Sequence, residues 1–525
     1  MNRKAEDLEK DEFDAPPAEG GASNYGDQER KKKKSKTAKT RAWKGKDKKE
    51  KAGRRARRRD DGVPAAEGED HEAGEPKAPR LPKRQCALLI GFCGTGYSGM
   101  QFQPNVPRTI EGVLFDALVK AGAVSQDNAD DPVKVNLARA ARTDAGVHAA
   151  GNIVSIKAIT SIPDFVARIN GLLPPEIRLW GFVRAQNSFN ARIACDSRKY
   201  TYYFPSYILL PPKPGSGFDQ ASKHHGYGSD DSPLHTDVLL DNEFWKGHES
   251  SSKEEDLARK RAWRVNPSQV ARLREIVSKF EGTHNFHNFT VGREFKDRSN
   301  QRHMKKIEVV DPVVYGDTEW ISVLFHGQSF MLHQQRKMMT ALVMTYRTGA
   351  PSDIIDELYS PRIVLVPKMP SLGLLLEEPV FESYNGRMAI INDKLDPSDP
   401  AYRPPIDFDL YRDQIIKFKD DFIYKNMREV EDQTGLFDAW IRMVDTYAGN
   451  DLLYFNSKGT VPEAAVIEKG VKRDNPFREK RKFNMTGFAA TTEDKSEEKL
   501  QEDEDEDDEG SIDKQELAEK EDNIF

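Results

Sequence analysis

Cysteine is scarce in this chain: Cys86, Cys93 and Cys195 are the only three among 525 residues. Three thiols make no disulfide framework, so a reducing, intracellular compartment is expected. Long apolar runs are missing as well. No stretch approaches the roughly 20 consecutive apolar residues that a membrane-spanning helix needs. The N-terminus is polar and charged, unlike a signal peptide, and a soluble protein with no membrane partner is expected. Metal-ligand spacing is also wanting. His224 and His225 are adjacent, but no further His or Cys stands at a ligand's distance from them, and no metal or other cofactor is expected.

What is present is charge, unevenly placed. Hydrophobic residues make up 37% and charged residues 32% of the chain, enough for two or three domains but too polar for folding throughout. The net charge of −6 conceals two opposed blocks, basic at Lys31–Lys34 and Lys44–Arg59 and unbroken acid from Glu502 to Glu509. Blocks of like charge stay solvated. Residues 1–84 are therefore expected to be a disordered basic region and 476–525 a disordered acidic tail. The clusters KKKKSK and RRARRR read as a nuclear address, a phosphate-binding arm or a solubilising tail.

Between these ends the hydrophobic pattern predicts an α+β fold. Cys86–Phe92 reads as a buried strand, Thr109–Gly122 as a helix, Val133–Leu137 as a strand by its alternation, and Ile153–Ile156 as another. A helix over Ile162–Leu172 and a strand over Ile177–Val183 complete a strand, helix, strand, strand, helix, strand series. The strand around Tyr200 opens a second such series, with a helix from Pro267, strands near 307–314 and 320–325, a helix over 330–347 and a strand from Leu372. Two ferredoxin-like βαββαβ halves, 85–197 and 198–390, are thus expected to join edge to edge. Together they would form one mixed, largely antiparallel sheet with helices on one face and a central cleft on the other. Residues 206–262 read as a surface insertion loop and 391–475 as a helical extension lying across the sheet.

Two motifs bear on chemistry. Gly94-Thr95-Gly96-Tyr97-Ser98-Gly99 has the spacing of a dinucleotide-binding turn, but such a turn must open a helix, and Pro104 and Pro107 forbid one here. The stretch LARAARTDAGVHAAGN, Leu137–Asn152, places Asp144 on a short turn eased by Gly146 and Gly151. A carboxylate held there is positioned for chemistry, or simply accepts hydrogen bonds from its own turn. Leu332, Arg336, Met339, Val343 and Tyr346 recur at helical spacing, which puts Arg336 in an apolar stripe. It must either snorkel outward or pair with a carboxylate.

Arg142-Thr143-Asp144-Ala145-Gly146-Val147-His148-Ala149 resembles the signature of the TruA family of tRNA pseudouridine synthases, in which the aspartate is catalytic. Ser329–Arg336 is similar to the family segment whose arginine pairs with that aspartate, and Tyr200 in RKYTYY resembles the tyrosine that stacks on the target base and accepts a proton. The resemblance implies that Asp144 is nucleophile or base with a depressed pKa, and that Arg142 helps extract the target nucleotide. It further implies that Gln101, in the Gly99-Met100-Gln101 loop, borders the site, and that His148 lines the substrate side mainly by orienting the turn. Leu374–Pro379 and Glu281–Thr290 extend the likeness, the latter toward the eukaryotic multisite-specific nuclear subgroup, while Met100 stands where bacterial members carry Trp.

By this resemblance the expected activity is cofactor-free isomerisation of uridine in tRNA, with small nuclear RNA and mRNA as further substrates, by a nuclear monomer. A noncatalytic RNA-binding or RNA-chaperone protein, and a metal-dependent hydrolase using Asp144 and His148, are the competing readings.

Overall fold

The computed structural model describes residues 81–106, 108–227, 242–468, 475–482 and 485–488. The expectations for residues 1–80 and 489–525 lie outside the described residues. Strand β1 (Arg84–Phe92) is buried along nearly its whole length, and helix α1 (Ile110–Lys120) begins where the Thr109 side chain accepts from the Gly112 amide. The short strand β2 (Ala138–Arg139), the long β3 (His148–Ala158), helix α2 (Phe165–Asn170) and β4 (Ile177–Arg184) complete the first half. The second half runs through β5 (Ser197–Pro205), helix α3 (Pro267–Ser278), β6 (Gly282–Asn285), β7 (Gln301–Tyr315), β8 (Thr318–Gly327), helix α4 (Gln334–Arg347) and β9 (Leu374–Val380).

These strands form one nine-stranded sheet in the order β4-β1-β3-β9-β5-β8-β7-β6, with β2 beside β3. In the first half β4 flanks β1 and β1 flanks β3; in the second β9 flanks β5 and β5 flanks β8, which is the same ferredoxin-like order with β6 added at the edge beside β7. Pairing inside the halves is antiparallel. Where they join, β3 and β9 run parallel, with His148 opposite Leu375 and Ala149 opposite Leu376. That seam positions the site. Every residue of α4 is buried, Arg336 included.

Several segments depart from the sequence reading. Val133–Leu137 is not a strand. Pro132–Val135 forms a 3-10 turn capped by the Asp131 side chain on the Val133 amide, and Asn136 follows in a left-handed conformation. An alternating pattern cannot distinguish this turn from a strand when Val133 is left exposed. Gly151 makes no turn either; it lies within β3, where a Cβ would stand 2.8 Å from the Phe408 ring.

The 206–262 insertion is largely folded among its described residues. It carries helices Gly217–His224 and Lys253–Ala262, the latter with a complete capping box at Ser252 and Glu255. The buried Lys260 ammonium donates to Asp438 Oδ1 at 2.8 Å, tying the insertion to the C-terminal helix Leu436–Thr446. A buried charge paired in this way is costly to break, about 3–5 kcal/mol. The C-terminal helices do lie on the sheet: Phe418 packs on Trp180 and Tyr424 on Tyr203. Finally, Glu479–Lys482 pairs with Met485–Phe488 as a two-stranded ribbon, β10 and β11, inside the stretch read as acidic tail. Phe477 is its buried anchor, and a single apolar residue in a polar stretch leaves no periodic signal.

Candidate active site

Asp144 sits on a turn fastened from three directions. Behind it, the buried Asn152 side chain donates to the Ala141 carbonyl at 3.0 Å and accepts from its amide at 3.3 Å, standing in for a strand partner. Beside it, the Gly94–Gln101 loop is bonded to the turn: Met100 N donates to Thr143 O at 3.1 Å and Gly146 N to Tyr97 O at 3.2 Å. Gly146 takes a φ of 76°, and a Cβ on Gly94 would fall 2.0 Å from the Val147 carbonyl, so neither position accepts a side chain. From the second half, the Arg198 guanidinium donates to the Ala140 carbonyl at 2.8 Å.

His148 pins the same turn from below. Its Nδ1 accepts from the Gly94 amide and its Nε2 donates to the Leu372 carbonyl, both at 3.1 Å. Burial pushes its pKa down to about 4, so the ring is neutral, and both nitrogens are used within the protein. The structure thus places His148 behind the turn as a support and not at a face open to substrate.

The groups that meet Asp144 come from the start of α4. His333 Nδ1 lies 2.8 Å from Asp144 Oδ2, and the Arg336 Nη1 lies 3.7 Å from the same oxygen. Arg336 lies in the first turn of α4 and His333 immediately precedes the helix, and both reach the same oxygen. His333 adopts φ 59°, a left-handed conformation that the residue preceding a helix needs here to turn its ring back to the carboxylate. Arg336 is 1% exposed. Its Nε donates to the Met369 carbonyl at 2.6 Å, and its Nη2 pairs with the Glu479 carboxylate at 2.5 Å. Glu479 Oε1 is further held 3.4 Å from the Ser371 amide and hydroxyl.

Burial alone would raise the Asp144 pKa, but His333, Arg336 and Lys368 outweigh it and hold the carboxyl well below the usual carboxylate range. The Asp144–Arg336 pairing expected from sequence is therefore present at ionic distance. The nearer partner of Asp144 is His333, and the nearer carboxylate on Arg336 is Glu479.

Tyr200 is opposite Phe325 of β8 and Leu376 of β9, so the seam that carries Asp144 carries this ring as well. It is buried against Phe330, edge to face at 5.2 Å between centroids. Burial first, then the Asp144 charge, push its phenol pKa upward against the opposing pull of Arg198, and it stays protonated near neutrality. Arg142 is exposed on the Asp144 turn, and its charge reaches the buried Glu111. Glu111 also accepts from Arg139 and from the Phe102 amide, which fixes the loop next to half-buried Gln101.

His333 and Glu479 were not foreseen from sequence. His333 had a signal, since it lies within the Ser329–Arg336 segment, three residues before Arg336; Glu479 had none. Among the described residues, no group of three or more His, Cys, Asp or Glu side chains is placed to hold a metal ion.

A two-halved α+β sheet with an ionised carboxylate, a buried guanidinium and a protonated phenol at its seam defines an enzyme that works through side-chain acid–base or nucleophilic chemistry. Residues 276–382 match the tRNA pseudouridine synthase family. The chain is 39% identical over 413 residues to tRNA pseudouridine synthase 1 of Candida glabrata, covering 71% of this chain and 72% of that one. It is 35% identical over 472 residues to tRNA pseudouridine synthase 1 of Schizosaccharomyces pombe, covering 72% and 86%. The tRNA pseudouridine(27/28) synthase of Saccharomyces cerevisiae is 40% identical over 325 residues, 57% of this chain and 85% of that protein. The chain belongs to the tRNA pseudouridine synthase family and is an isomerase of that class.

Proposed function

We propose that this chain converts uridine to pseudouridine in tRNA, with Asp144 as the reacting group. The observation that supports it most is the Asp144 carboxylate on one half of the sheet, faced by His333 and Arg336 from the other half. In the reaction the C1′–N1 bond of the nucleotide breaks, the uracil turns, and C1′ joins C5. C5 loses its proton and N1 gains one, so no external reductant or oxidant is needed. Asp144 serves either as nucleophile at C1′ or as base toward the C2′ proton. A base inside a helix is out of reach, so the nucleotide is flipped into the cleft. Arg142, exposed on the rim of the turn, holds its phosphate side, and Gln101 lies on the neighbouring loop.

Tyr200 supplies the surface on which the base rests. Because burial keeps its phenol protonated, its oxygen takes up the C5 proton only in relay, passing its own hydrogen onward. The same cleft accepts uridines in small nuclear RNA and mRNA, the enzyme acts as a monomer, and the basic KKKKSK and RRARRR clusters direct it to the nucleus.

Asp144→Ala tests the assignment. Tritium release from C5-labelled uridine in tRNA should cease while tRNA affinity stays close to that of the parent. Turnover retained by the variant would leave a noncatalytic role for Asp144 and end the proposal.

A further inference from the structure

The buried guanidinium of Arg336 is shared between two carboxylates, and only one of them lies on the turn that faces substrate. Its Nε is committed to the Met369 carbonyl at 2.6 Å and its Nη2 to Glu479 at 2.5 Å, leaving Nη1 at 3.7 Å from Asp144. That last separation exceeds a hydrogen bond. The Arg336 charge therefore stabilises ionised Asp144 from a distance without occupying its lone pairs.

The agent of that spacing is Glu479. It is delivered from far along the chain: Phe477, fully buried, packs 4.9 Å from Tyr447, and two residues later Glu479 opens β10 with Oε1 near Ser371 and Oε2 on Arg336. Without this second carboxylate, a fully desolvated guanidinium beside Asp144 has one anion left to satisfy it, and closing 3.7 Å to a bidentate pair is its best response. A carboxylate clamped in that way is a poorer nucleophile and a poorer base.

We propose that Glu479 is a positioning residue of the active site, holding Arg336 back from Asp144 so that the reacting carboxylate, bonded at Oδ2 by His333, is charged by the guanidinium without being clamped by it. This rests on the synthase reading and extends it to a segment whose sequence reads as tail. A competing role, the segment as an autoinhibitor occupying a phosphate-binding arginine, fits less well, because Arg336 is 1% exposed and behind the carboxylate it serves.

The test is carried out on the full chain with Glu479→Gln, Glu479→Asp and Ser371→Ala. Single-turnover pseudouridine formation is measured on a tRNA at saturating enzyme, beside tRNA affinity and thermal melting. Glu479→Gln should slow the single-turnover step roughly 10- to 100-fold, as expected for misplacement of a supporting group, with tRNA affinity within about twofold of the parent. Glu479→Asp, which keeps the charge, should recover a large part of the rate. Ser371→Ala, which loosens the carboxylate without removing it, should cost a few-fold at unchanged melting temperature, so the inference is tested even if Glu479→Gln does not fold.

Parental rates in Glu479→Gln and Ser371→Ala would overturn the inference, as would an increase in rate, which marks autoinhibition, or a Glu479→Asp rate no better than that of Glu479→Gln. Absence of product from the unsubstituted chain would overturn the synthase reading and this inference with it. Normal product from that chain beside unchanged variants removes this inference alone.

Discussion

Tyr200 separates two uses of one side chain, packing and proton handling. Its ring is buried against Phe330, and that contact needs only the hydrocarbon. Its oxygen sits in a place where burial and the Asp144 charge keep the proton on. Tyr200→Phe should therefore leave thermal stability and tRNA affinity close to parental values. Turnover should fall by about 100-fold or more, the usual size of a lost acid–base contribution. Tyr200→Ala should lose stability as well, by about 3–5 kcal/mol for a buried aromatic. Steady-state rates beside chemical denaturation check both.

What the sequence disclosed at this scale follows from how each residue is held. Asp144 and Arg336 were legible through the likeness of Arg142–Ala149 and Ser329–Arg336 to family segments; their local patterns, a turn and an apolar helical stripe, left a turn-bonded aspartate and a snorkelling arginine open. Glu479 was not, since its place depends on one buried phenylalanine and a distant hairpin. His148 illustrates the limit of motif reading: it belongs to the same eight-residue word as Asp144, yet both its nitrogens are spent on Gly94 and Leu372.

At the level of elements, the surprise lies in the insertion and the helices that receive it. Proline, glycine and mixed charge suggested a loop, but the apolar turn Ser206–Leu209 is buried and abuts helix Lys425–Thr434 through Tyr207 and Glu431. Glu431 accepts from the Tyr207 hydroxyl and, at 2.9 Å, from the Phe437 amide. Burial nonetheless raises its pKa from 4.5 to about 7, the neighbouring Asp438 adding to the effect.

The sign follows directly. Between pH 4.5 and about 7 the folded chain holds a proton here that the unfolded chain has released, so this group's contribution to stability declines as pH rises through that window. The full displacement corresponds to on the order of 3 kcal/mol. Glu431→Gln is nearly isosteric and can still accept from Phe437 while its amide donates to Tyr207. Urea midpoints should match those of the parent near pH 5 and exceed them near pH 8. A variant that loses stability at both values would show that the ionised carboxylate is the favoured form.

Over the whole molecule, the strand order repeats because each half meets the same demand: a sheet's apolar face must be covered by the helices that connect its strands. Periodicity exposed that repeat in advance, apart from the strand before the Asp144 turn. It could not reveal that β3 and β9 meet in parallel at the seam, because strand pairing between distant segments is settled by the three-dimensional fit of their side chains.

Charge is the other property of the whole. Between Lys31 and Arg59, seventeen residues are Lys or Arg and two are Asp or Glu. Such a block neutralises phosphates without reading sequence, and each phosphate neutralised contributes about −0.9 to the slope of log K against log salt for duplex. If four are engaged, removal of residues 1–80 should make that slope shallower by roughly 3–4. It should also weaken tRNA binding most at low salt and leave the single-turnover rate at saturating enzyme unchanged, because Asp144, Tyr200 and Arg336 all lie in the retained chain. Filter binding across a salt series gives the slope. An unaltered slope would leave the basic block a nuclear address or a solubilising tail, since neither needs contact with the substrate.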